Sequence, residues 1–157
     1  IQFSETGHLC LSTLHANNAN QALDRIINFF PEDKRNQLLM DLGLNLKAII
    51  SQRLIPMKSG KGRVPAVEVM INSPLVADLI MEGKVPEIKD LMSKSTEAGM
   101  QTFDQSLFNL YEADLISYDD ALRNADSVND VRLRIKLEGK DSKSRELGES
   151  MRNVTVK

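Results

Sequence analysis

The chain has 157 residues, 41% of them hydrophobic and 27% charged, with 20 Lys and Arg against 22 Asp and Glu. A net charge of −2 leaves no electrostatic footprint for nucleic acid or an anionic membrane surface. This is the composition of one ordinary soluble domain, large enough to bury roughly 68–70% of its unfolded surface. Cys10 is the single cysteine, so no internal disulfide forms. Its apolar neighbours lead us to expect a buried, inert thiol, in keeping with a reducing compartment. No apolar run approaches the roughly 20 residues of a membrane helix, and no signal peptide is visible. Ile1 is not a natural start, and residues 1–6 read as the end of a helix.

The first element in chain order is residues 8–14, with Leu9 and Leu11 on one face and Cys10 and Leu14 on the other. A strand apolar on both faces is expected in a parallel sheet covered by helices. Asn17 or Asn18 can cap the helix after it, in which Ala19, Ala22, Leu23, Ile26, Ile27 and Phe30 recur at helical spacing. Pro31 ends it, and Glu32 and Asp33 suit the start of the next. Leu38, Leu39, Leu42, Leu46, Ile49 and Ile50 then mark a long amphipathic helix to about Gln52. Residues 53–57 and 63–71 read as strands of a hairpin, with Gly60 and Gly62 in the turn.

Beyond residue 72 the pattern becomes helical. Ser73-Pro74 starts a helix to about residue 82, and Pro86 opens another to about residue 94. Thr102-Phe103-Asp104-Gln105 reads as a capping box whose helix buries Phe103, Leu107, Leu110 and Tyr111. Ser117-Tyr118-Asp119-Asp120 and Ser127-Val128-Asn129-Asp130 read as two more, leading helices to Ala125 and about Leu137. Residues 139–157 are polar and are expected to be disordered. The expected domains are thus an α/β layer over 1–72, a helical subdomain over 73–138 and a tail over 139–157.

The candidate site residues are the chain's two histidines, His8 and His15. They flank the first apolar stretch seven residues apart, so on a continuous strand they face opposite ways and cannot chelate one metal. Only a turn after Thr13 would bring them together, and no third ligand accompanies them, so no metal site is expected. His15 follows the C-terminal end of the expected strand, where ligands bind in open α/β sheets, so it suits hydrogen bonding to a phosphate. A plain buried strand with two capping histidines reads the same way. Ser59-Gly60-Lys61-Gly62-Arg63 lacks the G-x-x-x-x-G-K-[ST] spacing of a phosphate loop and reads as a hairpin turn. Arg53 reads as a structural or surface ion-pair residue. No nucleophile–base pair, paired catalytic carboxylates or dinucleotide loop is present.

Thr6-Gly7-His8-Leu9-Cys10-Leu11-Ser12-Thr13-Leu14-His15-Ala16-Asn17-Asn18-Ala19 resembles the His box of the secretion and type IV pilus motor ATPases. Ala22-Leu23-Asp24-Arg25, Phe29-Phe30-Pro31, residues 46–55 and residues 62–71 are also similar to that family. Gly99-Met100-Gln101-Thr102-Phe103-Asp104-Gln105-Ser106-Leu107 resembles its pilus-retraction branch, and the likeness extends to about residue 138.

The resemblance implies the C-terminal portion of a RecA-like P-loop NTPase core, followed by a helical C-terminal subdomain. It implies a parent motor that assembles as a homo-hexamer, binds ATP and Mg²⁺, and powers pilus retraction and twitching motility. His8 and His15 would be the His-box residues, sensing the γ-phosphate. The P-loop, acidic Asp box and Walker B glutamate that precede this box in the family are absent here. The resemblance therefore implies a chain that binds no nucleotide tightly and does not hydrolyse ATP alone. It further implies a partner retraction motor, an inner-membrane platform protein and a peripheral cytoplasmic location in a bacterium, without membrane insertion.

One departure concerns residues 75–82. The retraction branch often reads Ala-Ile-Arg-Asn-Leu-Ile-Arg-Glu there, and Ala77 and Met81 replace its two arginines. That fits an accessory motor better than a principal one. Two rival readings remain: a non-catalytic module docking on a partner motor or platform, and a piece of a type II secretion ATPase. The latter branch usually carries a four-cysteine zinc motif, which one cysteine cannot supply.

Overall fold

In a computed structural model of the chain, residues 2–139 are described, so the expected tail lies outside them apart from Gly139. They divide into two compact units. One comprises Ile1–Arg53 with Val67–Thr102, the other Leu54–Ala66 with the residues from Phe103 onward. The division runs through the hairpin and not at residue 72.

In the first unit, α1 (Gln2–Glu5) ends at Gly7, whose φ of +85° only glycine adopts without strain. Residues 8–16 then form neither helix nor strand, which corrects the expectation of a doubly buried strand at 8–14. Leu9 and Leu11 are 82% and 89% exposed, and Cys10 is an exposed free thiol, not a buried one. The physical reason is pairing: a strand exists only where a neighbour takes its backbone groups. The one sheet among the described residues is two-stranded and pairs the hairpin with itself.

α2 (Ala19–Asn28) buries Ala19, Ala22 and Leu23, as their spacing predicts. α3 (Arg35–Asn45) stops seven residues short of the expected end at Gln52, and β1 (Ala48–Pro56) begins almost at once. Asn72 explains the stop. Its side-chain amide donates to the carbonyls of Gly43 and Leu46 at 2.8 and 2.9 Å, ending the helix from outside. Ile49 and Ile50 fit the helical period but, as β-branched residues beside a partner strand, join the ladder instead.

β2 (Arg63–Ile71) pairs with β1 in the expected hairpin. Hydrogen bonds at its two ends, Met57 N–H to Gly62 O and Asn72 N–H to Lys47 O, fix one antiparallel register. That register sets Ser51 opposite Glu68.

Ser73 caps α4 (Pro74–Met81) by accepting the Val76 N–H, and a short 3-10 turn precedes α5 (Ile88–Lys94). Leu23, Leu38, Leu42, Met70, Val76, Ile80, Ile88 and Met92 form the core of this unit. α4 lies against α3.

In the second unit, α6 (Phe103–Glu112), α7 (Tyr118–Asn124) and α8 (Val128–Glu138) begin where their caps predict. Ser117 accepts the Asp120 N–H and Ser127 the Asp130 N–H. Phe103, Leu107, Ile116 and Ala121 are buried with Ile55 and Ala66, while Leu110 and Tyr111 are half-buried against them. Both carboxylate oxygens of Asp104 are used: one accepts the Asp126 N–H at 2.8 Å, the other the Ser127 N–H at 3.1 Å.

Candidate functional site around the two histidines

The turn at Gly7 folds the end of α1 back on itself. The Thr6 hydroxyl donates to the Phe3 carbonyl at 2.9 Å and lies 2.9 Å from His8 Nδ1. A hydroxyl has a single proton to donate, so His8 Nδ1 must be the donor of the second contact. This geometry favours the tautomer of the neutral His8 ring that carries its proton on Nδ1. Phe3 meets this ring edge-on, with centroids 6.3 Å apart. Cys10 Sγ lies 3.7 Å from the His8 carbonyl.

His15, also exposed, stands at the other end of the irregular stretch. No contact between the two imidazoles is found among the described residues. The residues just beyond His15 are firmly held. Asn18 caps α2 by accepting the Gln21 N–H at 2.8 Å, while Gln21 Oε1 accepts the Asn17 N–H at 3.1 Å. Glu68, on β2 and only 2% exposed, accepts the N–H of Ala19 at 2.7 Å. Ala19 opens α2, so this N–H is one of the donors a helix leaves unsatisfied, and a carboxylate there also meets the positive end of the helix dipole. Arg53 Nη2, from β1, donates to the Asn17 carbonyl at 3.3 Å. The sequence reads Arg53 as a structural or surface ion-pair residue, and this bond is to the backbone ahead of α2.

Glu68 is the functional candidate that the sequence did not single out. The available signal is a lone acid between Val67 and Val69, on the face opposite to theirs, in a strand that is otherwise apolar after Arg63 at its start.

The start of α2 is poorly suited to a phosphate, because its Ala19 and Gln21 N–H groups already serve Glu68 and Asn18 and the Glu68 carboxylate would repel an anion. No three His, Cys, Asp or Glu side chains converge on a metal position among the described residues. The turn between β1 and β2 is a hairpin turn, with Gly60 and Gly62 at φ of +72° and +83°. Lys58 at its start is bonded to Asp114, whose hydrogen bond and charge hold the ammonium above its ordinary pKa of 10.5. Arg25 lies exposed in the last turn of α2. Ala77 and Met81 pack α4 onto Gly43 of α3.

Comparison with known proteins places this geometry. Residues 1–76, which include both histidines and Glu68, match the model of the Type II/IV secretion system protein family. The chain is 63% identical over 137 residues to the Type IV pilus ATPase PilU of Pseudomonas aeruginosa, covering 87% of this chain and 36% of that protein. It is 39% identical over 122 residues to a twitching motility protein of Neisseria gonorrhoeae, covering 78% of this chain and 33% of the relative. Among solved structures, the pilus retraction motor PilT with bound ADP superposes with a TM-score of 0.65 at 35% identity, over 74% of this chain and 32% of that one. The chain thus spans about a third of the length of the proteins it matches. Its fold is α/β, that of part of a RecA-like motor core with helices after it, and the chain belongs to the type II/IV secretion and type IV pilus ATPase family.

Proposed function

We propose that the chain is the C-terminal part of a hexameric motor ATPase that powers type IV pilus retraction and twitching motility, with His8 and His15 as its His box. The observation that carries this reading is the 63% identity to the pilus ATPase PilU over 137 residues. The match to the secretion-family model over residues 1–76 supports it, because that span contains both histidines. The replacement of the two branch arginines by Ala77 and Met81 favours an accessory motor that works beside a PilT-type motor.

ATP and Mg²⁺ belong in this reading to a part of the motor that the chain lacks. His8 and His15, both exposed at the ends of an unpaired stretch, are placed to hydrogen-bond a phosphate brought from there. The chain alone is inactive, since no P-loop holds the phosphates. Its place is the cytoplasmic side of the inner membrane, against a pilus platform protein. No described helix is long and apolar enough to cross a membrane.

Two measurements test the reading. ATP hydrolysis by this chain should be at background with or without Mg²⁺, and a robust Mg²⁺-dependent rate overturns the claim of inactivity. In the longer motor that carries this segment, His8→Ala and His15→Ala should each abolish twitching and depress hydrolysis. Wild-type behaviour of both variants overturns the His-box assignment.

A further inference from the structure

Glu68 and Arg53 reach the same few residues from two strands of one hairpin. Glu68 takes the first N–H of α2 at 2.7 Å, and Arg53 donates to the carbonyl of Asn17, two residues earlier in the chain. Their target begins directly after His15 and its neighbour Ala16. The Glu68 carboxylate is buried, 2% exposed, and lies in the register opposite Ser51, itself buried. A buried carboxylate is costly unless its oxygens are satisfied. An apolar residue at position 68 would pack well but leave the Ala19 donor orphaned.

The arrangement has a direction. β1 and β2 are tied to one another along their length and to α3 through Asn72, so the hairpin is the fixed partner. The chain from residue 8 to residue 16 has no regular structure and is the adjustable one. The N-terminus of α2 joins the two. From this geometry we infer that Glu68, assisted by Arg53, is a positioning residue: it clamps the start of α2 to the hairpin and so sets where His15 is presented. The inference rests on the proposed His-box reading, since it gives Glu68 a role only through His15. It also extends that reading, because it makes the hairpin part of the histidine's support.

The role requires an acceptor at position 68, not a charge as such. Glu68→Gln keeps the length and one oxygen, whereas Glu68→Ala removes the acceptor. In this chain, amide exchange at Ala19 should accelerate at least about tenfold in Glu68→Ala and return near wild type in Glu68→Gln. In the longer motor, Glu68→Ala should lower kcat for ATP about tenfold or more with KM within about twofold, because a displaced reacting group costs rate before it costs binding. Glu68→Gln should restore most of that rate. If Glu68→Ala does not fold, Arg53→Gln, at a half-buried position, should give a smaller loss of kcat in the same sense, with Arg53→Lys closer to wild type.

Unchanged kcat in folded Glu68→Ala or in Arg53→Gln, or a Glu68→Gln variant as slow as Glu68→Ala, overturns the inference. His15→Ala in the same motor separates the two levels. Where His15→Ala stops hydrolysis and the position-68 variants do not, the clamp alone falls. Where His15→Ala leaves hydrolysis intact, the His-box reading falls and the clamp's role with it.

Discussion

Gly43 on α3 receives the side chain of Met81 on α4: a Cβ at residue 43 would stand 2.5 Å from Met81 Cγ and 3.2 Å from the carbonyl of Ala77. The two helices meet across a glycine because nothing larger leaves room for the thioether. Gly43→Ala gains helix propensity, yet the overlap falls near the root of the Met81 side chain and beside backbone, where relief is hard. The substitution should destabilise the chain by about 1–3 kcal/mol. Met81→Ala should make Gly43→Ala nearly neutral in the double variant. Urea unfolding of the four proteins of that cycle checks it, and equal costs of Gly43→Ala in both backgrounds would sink the steric explanation.

His8 offers a test that needs no activity. Since Thr6 gives its proton to Phe3, the neutral imidazole should be the Nδ1–H tautomer. Nitrogen chemical shifts of the neutral His8 ring read this directly. In Thr6→Val the constraint is gone and the population should move toward the Nε2–H form. A neutral His8 then offers Nε2 only as an acceptor, so donating to a phosphate oxygen through Nε2 requires the protonated ring. An Nε2–H majority in the wild type would refute the assignment.

Asp104 ties the start of α6 to the residues that open α8. Asp104→Ala leaves the N–H groups of Asp126 and Ser127 without this acceptor and should cost about 1–3 kcal/mol. Asp104→Asn retains one acceptor and should cost less. The midpoints of denaturant unfolding rank the three proteins, and an Ala variant as stable as wild type would contradict the bridging role.

Lys58 and Asp114 show how little an exposed pair contributes. Their side chains are 54% and 74% exposed, so water and salt screen the attraction. Asp114 raises the Lys58 pKa from 10.5. The bonded ammonium therefore stabilises the fold fully below the ordinary pKa, and that contribution fades as pH rises through the raised value. Lys58→Met should shift the melting temperature only slightly at neutral pH. The gap from wild type should narrow in high salt and as pH rises through the raised Lys58 value. A gap that widens with pH would reverse the sign of this linkage. Asp114 also holds a φ of +58°, so Asp114→Asn, which tolerates that conformation, is the better partner variant than Asp114→Ala.

What could be read from the sequence was what is local. Asn18, Ser73, Ser117 and Ser127 cap the helices their spacing predicts, because a cap bonds a donor three residues away. The hairpin was legible from its glycine turn. The end of α3 was not, because Asn72 acts from 26 to 29 residues further along the chain. Residues 8–14 have the pattern of a strand, and pattern alone cannot supply a partner strand. Glu68 stayed hidden for a similar reason: its bond to Ala19 spans 49 residues. The two histidines stand out because histidine is rare in this chain, while the contacts that hold the residues after His15 do not, because they come from the far hairpin.

The stretch between the histidines resembles a strap fastened at both buckles. Thr6 and Phe3 hold the His8 end, and Asn18, Glu68 and Arg53 hold the other. Ordering a free chain costs roughly 1–2 kcal/mol for each residue's backbone. With its ends already fixed, the stretch between has fewer conformations to lose than a dangling segment of equal length. A segment pairing beside Leu9 and Leu11 would order a stretch whose two ends are already held, so less freedom would be surrendered than by a dangling segment. The contacts at the two ends thus lower the entropy cost of ordering the stretch between the histidines.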